Sequence, residues 1–123
     1  MNILIIEDEI LIQKSLKKLI EKRGHTVQAT ASGIEAIELI KDNQFDRIIS
    51  DLMLKDITGF DIIEDVKSKY SAEEISHLFI IMTAYSSDQV LAKAKLYNCK
   101  ILNKPFDNIA KAIDIFVGDS NEA

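Results

Sequence analysis

Short apolar runs alternate with longer amphipathic stretches along the whole chain. Three of the runs, residues 2–6, 46–50 and 78–82, are apolar in character and rich in β-branched residues. They are too short for most helices, and their continuous rather than alternating pattern is typical of parallel strands covered on both faces. Residues 26–30 and 100–103 are more polar and suit the edges of the same sheet. The pattern therefore predicts five strands.

Five amphipathic stretches follow these strands in turn. Apolar residues at helical spacing mark them: Ile12, Leu16, Leu19 and Ile20; Ile37 and Ile40; Ile63, Val66 and Tyr70; Val90, Ala94 and Tyr97; and Ile109, Ile113 and Phe116. Ser32 and Thr58 each stand three residues before an acid, the spacing of a helix capping box, and Asp107 is expected to cap the fifth helix. Strand–helix alternation predicts a flavodoxin-like α/β fold, a doubly wound (βα)5 arrangement whose five-stranded parallel sheet has the order 2-1-3-4-5.

Composition limits the class of protein. The 123 residues suit one globular domain, expected to span residues 1–118, with 119–123 a polar tail or the start of a linker. The net charge of −5 argues against nonspecific nucleic-acid or anionic-membrane binding. The single Cys99 cannot form an internal disulfide, and no apolar run approaches ~20 residues. We therefore expect a cytoplasmic protein without a signal peptide or membrane span.

Charged residues cluster at the predicted carboxyl ends of the strands, where ligands bind in this kind of sheet. Glu7 and Asp8 follow the first strand, Asp51 follows the third and Lys104 follows the fifth. Because neighbouring strands lie about 4.8 Å apart, the three carboxylates are expected to converge. Lys104 would start roughly 10 Å from Asp51 at the backbone, and its long side chain would cover most of that gap. Thr83 ends the fourth strand, one strand beyond Asp51.

This set of groups suits phosphoryl transfer. Close carboxylates repel one another unless a cation joins them, and oxygen ligands without Cys or His suit Mg²⁺ or Ca²⁺. A carboxylate such as Asp51 can attack phosphorus and form an aspartyl-phosphate, while a divalent cation, a lysine and a threonine hydroxyl hold the phosphoryl oxygens. Taken singly, each residue also fits a plainer role, such as an acid at a helix N-terminus or a surface lysine before a proline. Their convergence on one rim is what favours the site.

The same residues resemble the receiver domains of two-component response regulators. The matching features, in the family's order and spacing, are Glu7-Asp8, Asp51 with Gly59 behind it, Thr83-Ala84 and Lys104-Pro105-Phe106. The resemblance covers essentially the whole chain. It implies a phosphorelay receiver that accepts a phosphoryl group on Asp51 in a Mg²⁺-dependent reaction and then switches protein–protein interactions.

The resemblance also implies a role for each site residue. The implied ligands of Mg²⁺ (or Mn²⁺) are Asp8, Asp51, the Met53 backbone carbonyl and, through water, Glu7. The implied phosphoryl-oxygen ligands are Thr83, the Ala84 N–H and Lys104. A cis peptide bond between Lys104 and Pro105 is expected as well.

Three positions are expected to modulate the site. Met53 and Tyr85, each two residues after a site residue, would border it. Neither is acidic or amide-bearing, so they would help an attacking water poorly, and the phosphorylated form is expected to hydrolyse slowly. Ile101 stands where many receivers carry a Tyr or Phe that swings inward on activation, so the aromatic part of that readout would be missing here.

The implied partners are a histidine kinase or histidine phosphotransfer protein as donor, and an output domain or partner protein downstream. A homodimer through the predicted fourth helix, fifth strand and fifth helix is a further option. That face carries Lys93, Lys95, Lys100, Asp107, Lys111 and Asp114. A solvent-exposed face without a partner would carry a similar density of charged residues. We expect no nucleic-acid or membrane partner for this chain.

Two alternatives remain beside this interpretation. A pseudo-receiver would keep the fold as an interaction module without phosphorylation, and Ile101 favours it slightly. A flavodoxin-like redox protein would want a phosphate-cradling loop after the first strand, where Glu7 and Asp8 would repel the FMN phosphate. In the favoured interpretation, the chain promotes its own phosphorylation and dephosphorylation. We do not expect an enzyme that turns over an external substrate.

Overall fold

A five-stranded parallel sheet forms the centre of the structure, a computed structural model that describes residues 1–118. The predicted tail at 119–123 lies outside the described residues. The strands are β1 Asn2–Ile6, β2 Thr26–Thr30, β3 Arg47–Asp51, β4 Phe79–Thr83 and β5 Lys100–Asn103, and their order is β2-β1-β3-β4-β5. The sheet order and the flavodoxin-like fold are therefore confirmed. The apolar strands take the centre because only they can be covered on both faces.

Helices cover both faces of this sheet. They are α1 Ile10–Glu21, α2 Gly33–Asp42, α3 Gly59–Val66, α4 Ala72–Leu78, α5 Asp88–Tyr97 and α6 Ile109–Val117, with a short 3-10 helix at Lys67–Lys69. Alternate residues of β1 pack into two separate hydrophobic cores, one on each face of the sheet. Leu4 and Ile6 pack on the side of α2 and α3, whereas Ile3 and Ile5 pack on the side of α1 and α6. Within residues 1–118 no helix combines the length and the apolar character that crossing a membrane requires.

Helix α4 was missed by the sequence pattern, which predicted five helices. Ser71 and Glu74 form a full capping box at its start, so the signal was present, but the helix is short and its apolar residues run directly into β4. The predicted fourth and fifth helices are thus α5 and α6. Two boundaries were also wrong. Helix α3 ends before Tyr70, and the cap of α6 is Asn108, whose side chain accepts from the Lys111 N–H, instead of Asp107.

Cations from other elements hold the carboxyl ends of two helices. The buried Arg47 of β3 donates to the carbonyls of Phe116 at 3.0 Å and Gly118 at 2.8 Å, at the end of α6. Lys69 donates at 2.5 Å to the carbonyl of Ile40, near the end of α2. Positive charge is favourable at these ends because the helix dipole is negative there. Helix α2 is therefore tied to the segment after α3.

Candidate functional site

Three carboxylates meet at the carboxyl edge of the central strands. Glu7 and Asp8 directly follow β1, and Asp51 is the last residue of β3. Ile6 lies opposite Ser50 in the parallel pairing of these strands, so Glu7 and Asp51 emerge at the same level. One carboxylate oxygen from each of the three acids lies within 4.8 Å of the others. The predicted convergence of the acids is present in the structure.

Lys104 reaches this cluster from the far edge of the sheet. Its Nζ lies 2.5 Å from a Glu7 carboxylate oxygen and 3.4 Å from an Asp51 carboxylate oxygen. Its backbone N–H donates to the Thr83 carbonyl at 2.8 Å, which continues the hydrogen bonding between β4 and β5 by one residue. This bond fixes the backbone from which the side chain extends. The approach to Asp51 was anticipated from the strand spacing, but the closer contact with Glu7 was not.

The cluster is electrostatically unbalanced. Burial raises the pKa of Glu7, and the Asp51 charge adds to this, although the hydrogen bonds from Lys104 and from the Glu9 N–H oppose it. Burial by itself lowers the pKa of Lys104, but the Glu7 hydrogen bond and the Asp51 charge outweigh it and leave that pKa raised. Lys104 is therefore an ammonium, and one ammonium faces three carboxyl groups. The excess negative charge matches what a divalent cation would offset.

The donor set fits a hard cation. Oxygen ligands without sulfur or imidazole are those that Mg²⁺ and Mn²⁺ prefer. Within residues 1–118, Glu7, Asp8 and Asp51 are the group of three that could hold a metal ion. Met53, whose backbone carbonyl is a further candidate ligand, forms an isolated antiparallel β-bridge with Thr58.

The loop after Asp51 is closed tightly against the sheet. Leu52 donates to the Met82 carbonyl at 2.7 Å and accepts from the Gly59 N–H at 2.8 Å. A Cβ on Gly59 would lie 3.1 Å from the Asp51 carbonyl and 3.0 Å from Ile81 Cδ1. Gly59 is therefore needed for close packing beneath Asp51, because a side chain there would press on the strand that carries the acid.

Thr83 is buried at the end of β4, but its hydroxyl is engaged within its own loop. The hydroxyl donates to the Tyr85 carbonyl at 2.8 Å and accepts from the Tyr85 N–H at 3.0 Å. Ala84 between them is exposed. The sequence placed Thr83 at the correct strand end, and the structure adds that its hydroxyl has a local partner.

The three modulating positions differ in their surroundings. Met53 and Tyr85 are 63% and 75% exposed, and their expected position at the border of the site stays a prediction. Ile101 is half-buried in β5 and packs against the core on the side of α5. It lines a groove of about 390 Å³ together with Leu91 and Cys99.

An apolar groove opens beside Lys104. It has a volume of about 280 Å³ between α1 and the segment that leads into α6. Its walls include Leu11, Phe106 and Ile109, and Leu11 is 83% exposed. Large exposed apolar side chains next to a charged site are typical of a surface that meets another protein.

Comparison with known proteins gives a consistent result. A profile described as the response regulator receiver domain matches residues 3–114. The polar-differentiation response regulator DivK of Brucella abortus is 27% identical over 123 residues, which cover 97% of this chain and 98% of DivK. The probable transcriptional regulator ycf29 of Porphyra purpurea is 27% identical over 109 residues, covering 86% of this chain. The matched region spans only 50% of the length of ycf29.

A solved structure shares the architecture. The non-phosphorylated HemR receiver domain from Leptospira biflexa aligns with a TM-score of 0.80 and 28% sequence identity. The alignment covers 93% of this chain and 90% of the HemR chain. Sheet order and helix placement thus agree with a receiver fold over nearly the whole length.

Proposed function

This chain belongs to the response regulator receiver domain family, and from that premise we propose that it is a phosphoacceptor whose Asp51 takes a phosphoryl group in a Mg²⁺-dependent reaction. The observation that carries the proposal is the meeting of Asp51 with two further carboxylates and the Lys104 ammonium at one edge of the sheet. An acid without a catalytic role does not require neighbouring carboxylates and a lysine. A phosphoryl-transfer site requires a nucleophile, ligands for a divalent cation and a positive charge beside the phosphoryl oxygens.

Asp51 would act as the nucleophile. One of its carboxylate oxygens forms a bond to the phosphorus of the donor, while the bond from phosphorus to the donor's nitrogen or oxygen breaks and its electron pair leaves with the donor. A carboxylate nucleophile needs no base to remove a proton first. Lys104, at 3.4 Å, would offset the charge that gathers on the phosphoryl oxygens.

Asp8, Asp51 and the Met53 carbonyl would hold Mg²⁺ (or Mn²⁺), with Glu7 assisting through a water. When bound, the cation supplies charge neutralisation for the phosphoryl oxygens and fixes their orientation. Glu7 already accepts a hydrogen bond from Lys104. It would therefore hold that ammonium beside Asp51 until the phosphoryl group arrives.

Thr83 and the Ala84 N–H would bind the remaining phosphoryl oxygens. To do so, the Thr83 hydroxyl must give up its donation to the Tyr85 carbonyl. Phosphorylation would therefore release a hydrogen bond that now closes the loop after β4. This is a local change through which the state of Asp51 would reach the α5 side of the molecule.

The phosphodonor would be a histidine kinase or a histidine phosphotransfer protein, docking on the groove between α1 and α6. The groove borders Lys104 and is walled by exposed apolar side chains such as Leu11. A partner seated there would bring its phosphohistidine to the same edge of the sheet as Asp51.

The signal would be read on the face formed by α5, β5 and α6, by an output domain or partner protein or by a second copy of the chain. Asp114 on this face forms an ion pair with Arg23, in the turn after α1, and Lys93 lies 5.5 Å from the Phe60 ring centroid. Both charges thus have partners within the chain, which weakens the case for a self-complementary charged contact.

A pseudo-receiver is the second candidate function, because Ile101 offers no ring to report the state of Asp51. In either case we propose that the chain works in the cytoplasm and does not turn over an external substrate. A phosphoacceptor would itself carry the phosphoryl group on Asp51, and a pseudo-receiver would only bind partners.

Beryllium fluoride, which mimics a phosphoryl group on a carboxylate, separates the two functions. In an NMR titration, we expect the amide resonances of Thr83, Ala84 and Lys104 to shift strongly only when Mg²⁺ and beryllium fluoride are both present. Shifts with Mg²⁺ that do not change on adding beryllium fluoride would support the pseudo-receiver.

A further inference from the structure

Asp56, an exposed acid in the loop between β3 and α3, is fastened to the start of another helix. Its Oδ2 accepts from the Ser32 hydroxyl at 2.9 Å and from the Ile34 N–H at 3.0 Å. Its Oδ1 accepts from the Gly33 N–H at 3.1 Å and from the Ile57 N–H at 2.9 Å. Three of these four donors belong to the first turn of α2 and its cap.

This contact is favourable for physical reasons. The first N–H groups of a helix lack partners within the helix, and the dipole favours negative charge there. The pKa of Asp56 is lowered from 3.8 to about 2, chiefly by the hydrogen bond from the Ile34 N–H, so the carboxylate is ionised at neutral pH. Helix α2 is also held at its other end by Lys69. It is therefore a firm anchor for the loop.

The loop also packs closely on this anchor. A Cβ on Gly33 would lie 2.5 Å from Ile57 Cγ1 and 3.2 Å from Leu54 Cδ1. No side chain fits at Gly33 without displacing Ile57. The loop and the first turn of α2 are thus complementary in shape as well as in charge.

Met53 lies at the base of this loop. Its side chain is exposed, so burial does not hold the residue in place. Its bridge to Thr58 joins the two sides of the loop, and the hydrogen bonds of Leu52 fasten the base of the loop to the sheet. Asp56 lies between the two bridged residues and ties the loop to α2. Without it, the outer part of the loop would lose its hydrogen bonds to α2, and the Met53 carbonyl would be held only by its bridge and by the packing of Leu52 and Leu54.

We propose that Asp56 is a positioning residue for the metal site, fastening the loop to α2 so that the Met53 backbone carbonyl is held where a divalent cation needs it. This rests on the proposed function, because the Met53 carbonyl matters as a ligand only if the carboxylate cluster binds Mg²⁺. Asp56 itself does not belong to that cluster.

The test measures Mg²⁺ affinity by calorimetry for the whole chain and for Asp56→Ala. We expect the variant to raise the Mg²⁺ Kd by about tenfold, the effect typical of losing an outer support of a metal ligand. The maximal rate of phosphorylation by a small phosphodonor at saturating Mg²⁺ should match that of the wild type. Asp56→Asn, which keeps one acceptor oxygen, should give an intermediate Kd and serves if the alanine variant folds poorly.

Ser71→Ala is the matched control, since it removes the side-chain cap of α4, a helix that contributes no residue to the site. It should lower stability without changing the Mg²⁺ Kd. If Asp56→Ala lowers stability in the same way and leaves the Mg²⁺ Kd unchanged, Asp56 only caps α2 and the proposal is wrong. A wild-type chain that binds no Mg²⁺ would overturn the proposed function together with this one, a result distinct from the first.

Discussion

The Lys104 ammonium lies 2.5 Å from the Glu7 carboxylate, although these residues follow strands that are three positions apart in the sheet. The same Nζ lies 3.4 Å from an Asp51 carboxylate oxygen. One buried cation thus serves two acids. A phosphoryl group on Asp51 would compete with Glu7 for the ammonium, which links the chemical state of the site to the position of Lys104.

Lys104→Met removes the ammonium and keeps the length of the side chain. Because three carboxyl groups then face one another without a counter-charge, we expect the free energy of unfolding to fall by about 3 kcal/mol. The affinity for Mg²⁺ should rise for the same reason. Phosphorylation of Asp51 should nevertheless slow by about a hundredfold, since a donor to the phosphoryl oxygens is lost. Urea unfolding, calorimetry and single-turnover phosphorylation measure the three effects.

Lys100→Met is the control, because Lys100 is exposed at the start of β5, the strand that Lys104 follows. Its effect on the free energy of unfolding should stay within about 0.5 kcal/mol. A Lys104→Met variant of wild-type stability that binds Mg²⁺ more weakly would contradict the proposed charge balance.

Met53 and Tyr85 are expected to slow the loss of the phosphoryl group. Both residues are exposed, and neither carries an acid or amide that would orient an attacking water. Met53→Asn and Tyr85→Glu should therefore each shorten the half-life of phosphorylated Asp51, by roughly tenfold for a well-placed polar group. Decay of the phosphorylated protein, followed by mass after removal of the donor, measures this. No acceleration in either variant would show that the two side chains only pack.

The Asp56 contact predicts a dependence of stability on pH. The pKa of Asp56 is lowered from 3.8 to about 2 in the folded chain, so its contribution is fully present above pH 3.8 and is lost as the pH falls toward 2. At pH 7 the wild type should exceed Asp56→Asn in stability by about 1 kcal/mol, as for other helix N-caps. That difference should shrink steadily in urea unfolding between pH 3.8 and about pH 2. A constant difference over this range would mean that the carboxylate charge does not matter.

The sheet and the carboxylate cluster could be predicted because they depend on local pattern and strand spacing. Continuous apolar runs marked β1, β3 and β4 as central strands, and parallel strands bring their carboxyl ends to one rim. The Lys104–Glu7 contact could not be derived in this way, since strand order does not say which acid a flexible side chain will choose.

Other parts of the site depended on tertiary packing that a sequence does not display. Asp56 resembles any acid in a polar loop, and only the folded chain brings it to the N-terminus of α2. The Thr83 hydroxyl was placed at the correct strand end, but its bond to the Tyr85 carbonyl follows from the path of one loop. Helix α4 was missed although Ser71 and Glu74 carry its capping signal, because its few apolar residues merge with those of β4.

Mass measurement after incubation with a small phosphodonor tests the central claim most directly. We expect the wild type to gain one phosphate group in the presence of Mg²⁺ and none in the presence of a chelator. Asp51→Asn, which removes the nucleophile and preserves the shape of the side chain, should gain none under either condition. A gain in Asp51→Asn equal to that of the wild type would contradict the assignment of Asp51. No gain in the wild type with any donor, its cognate kinase included, would contradict the phosphoacceptor function itself.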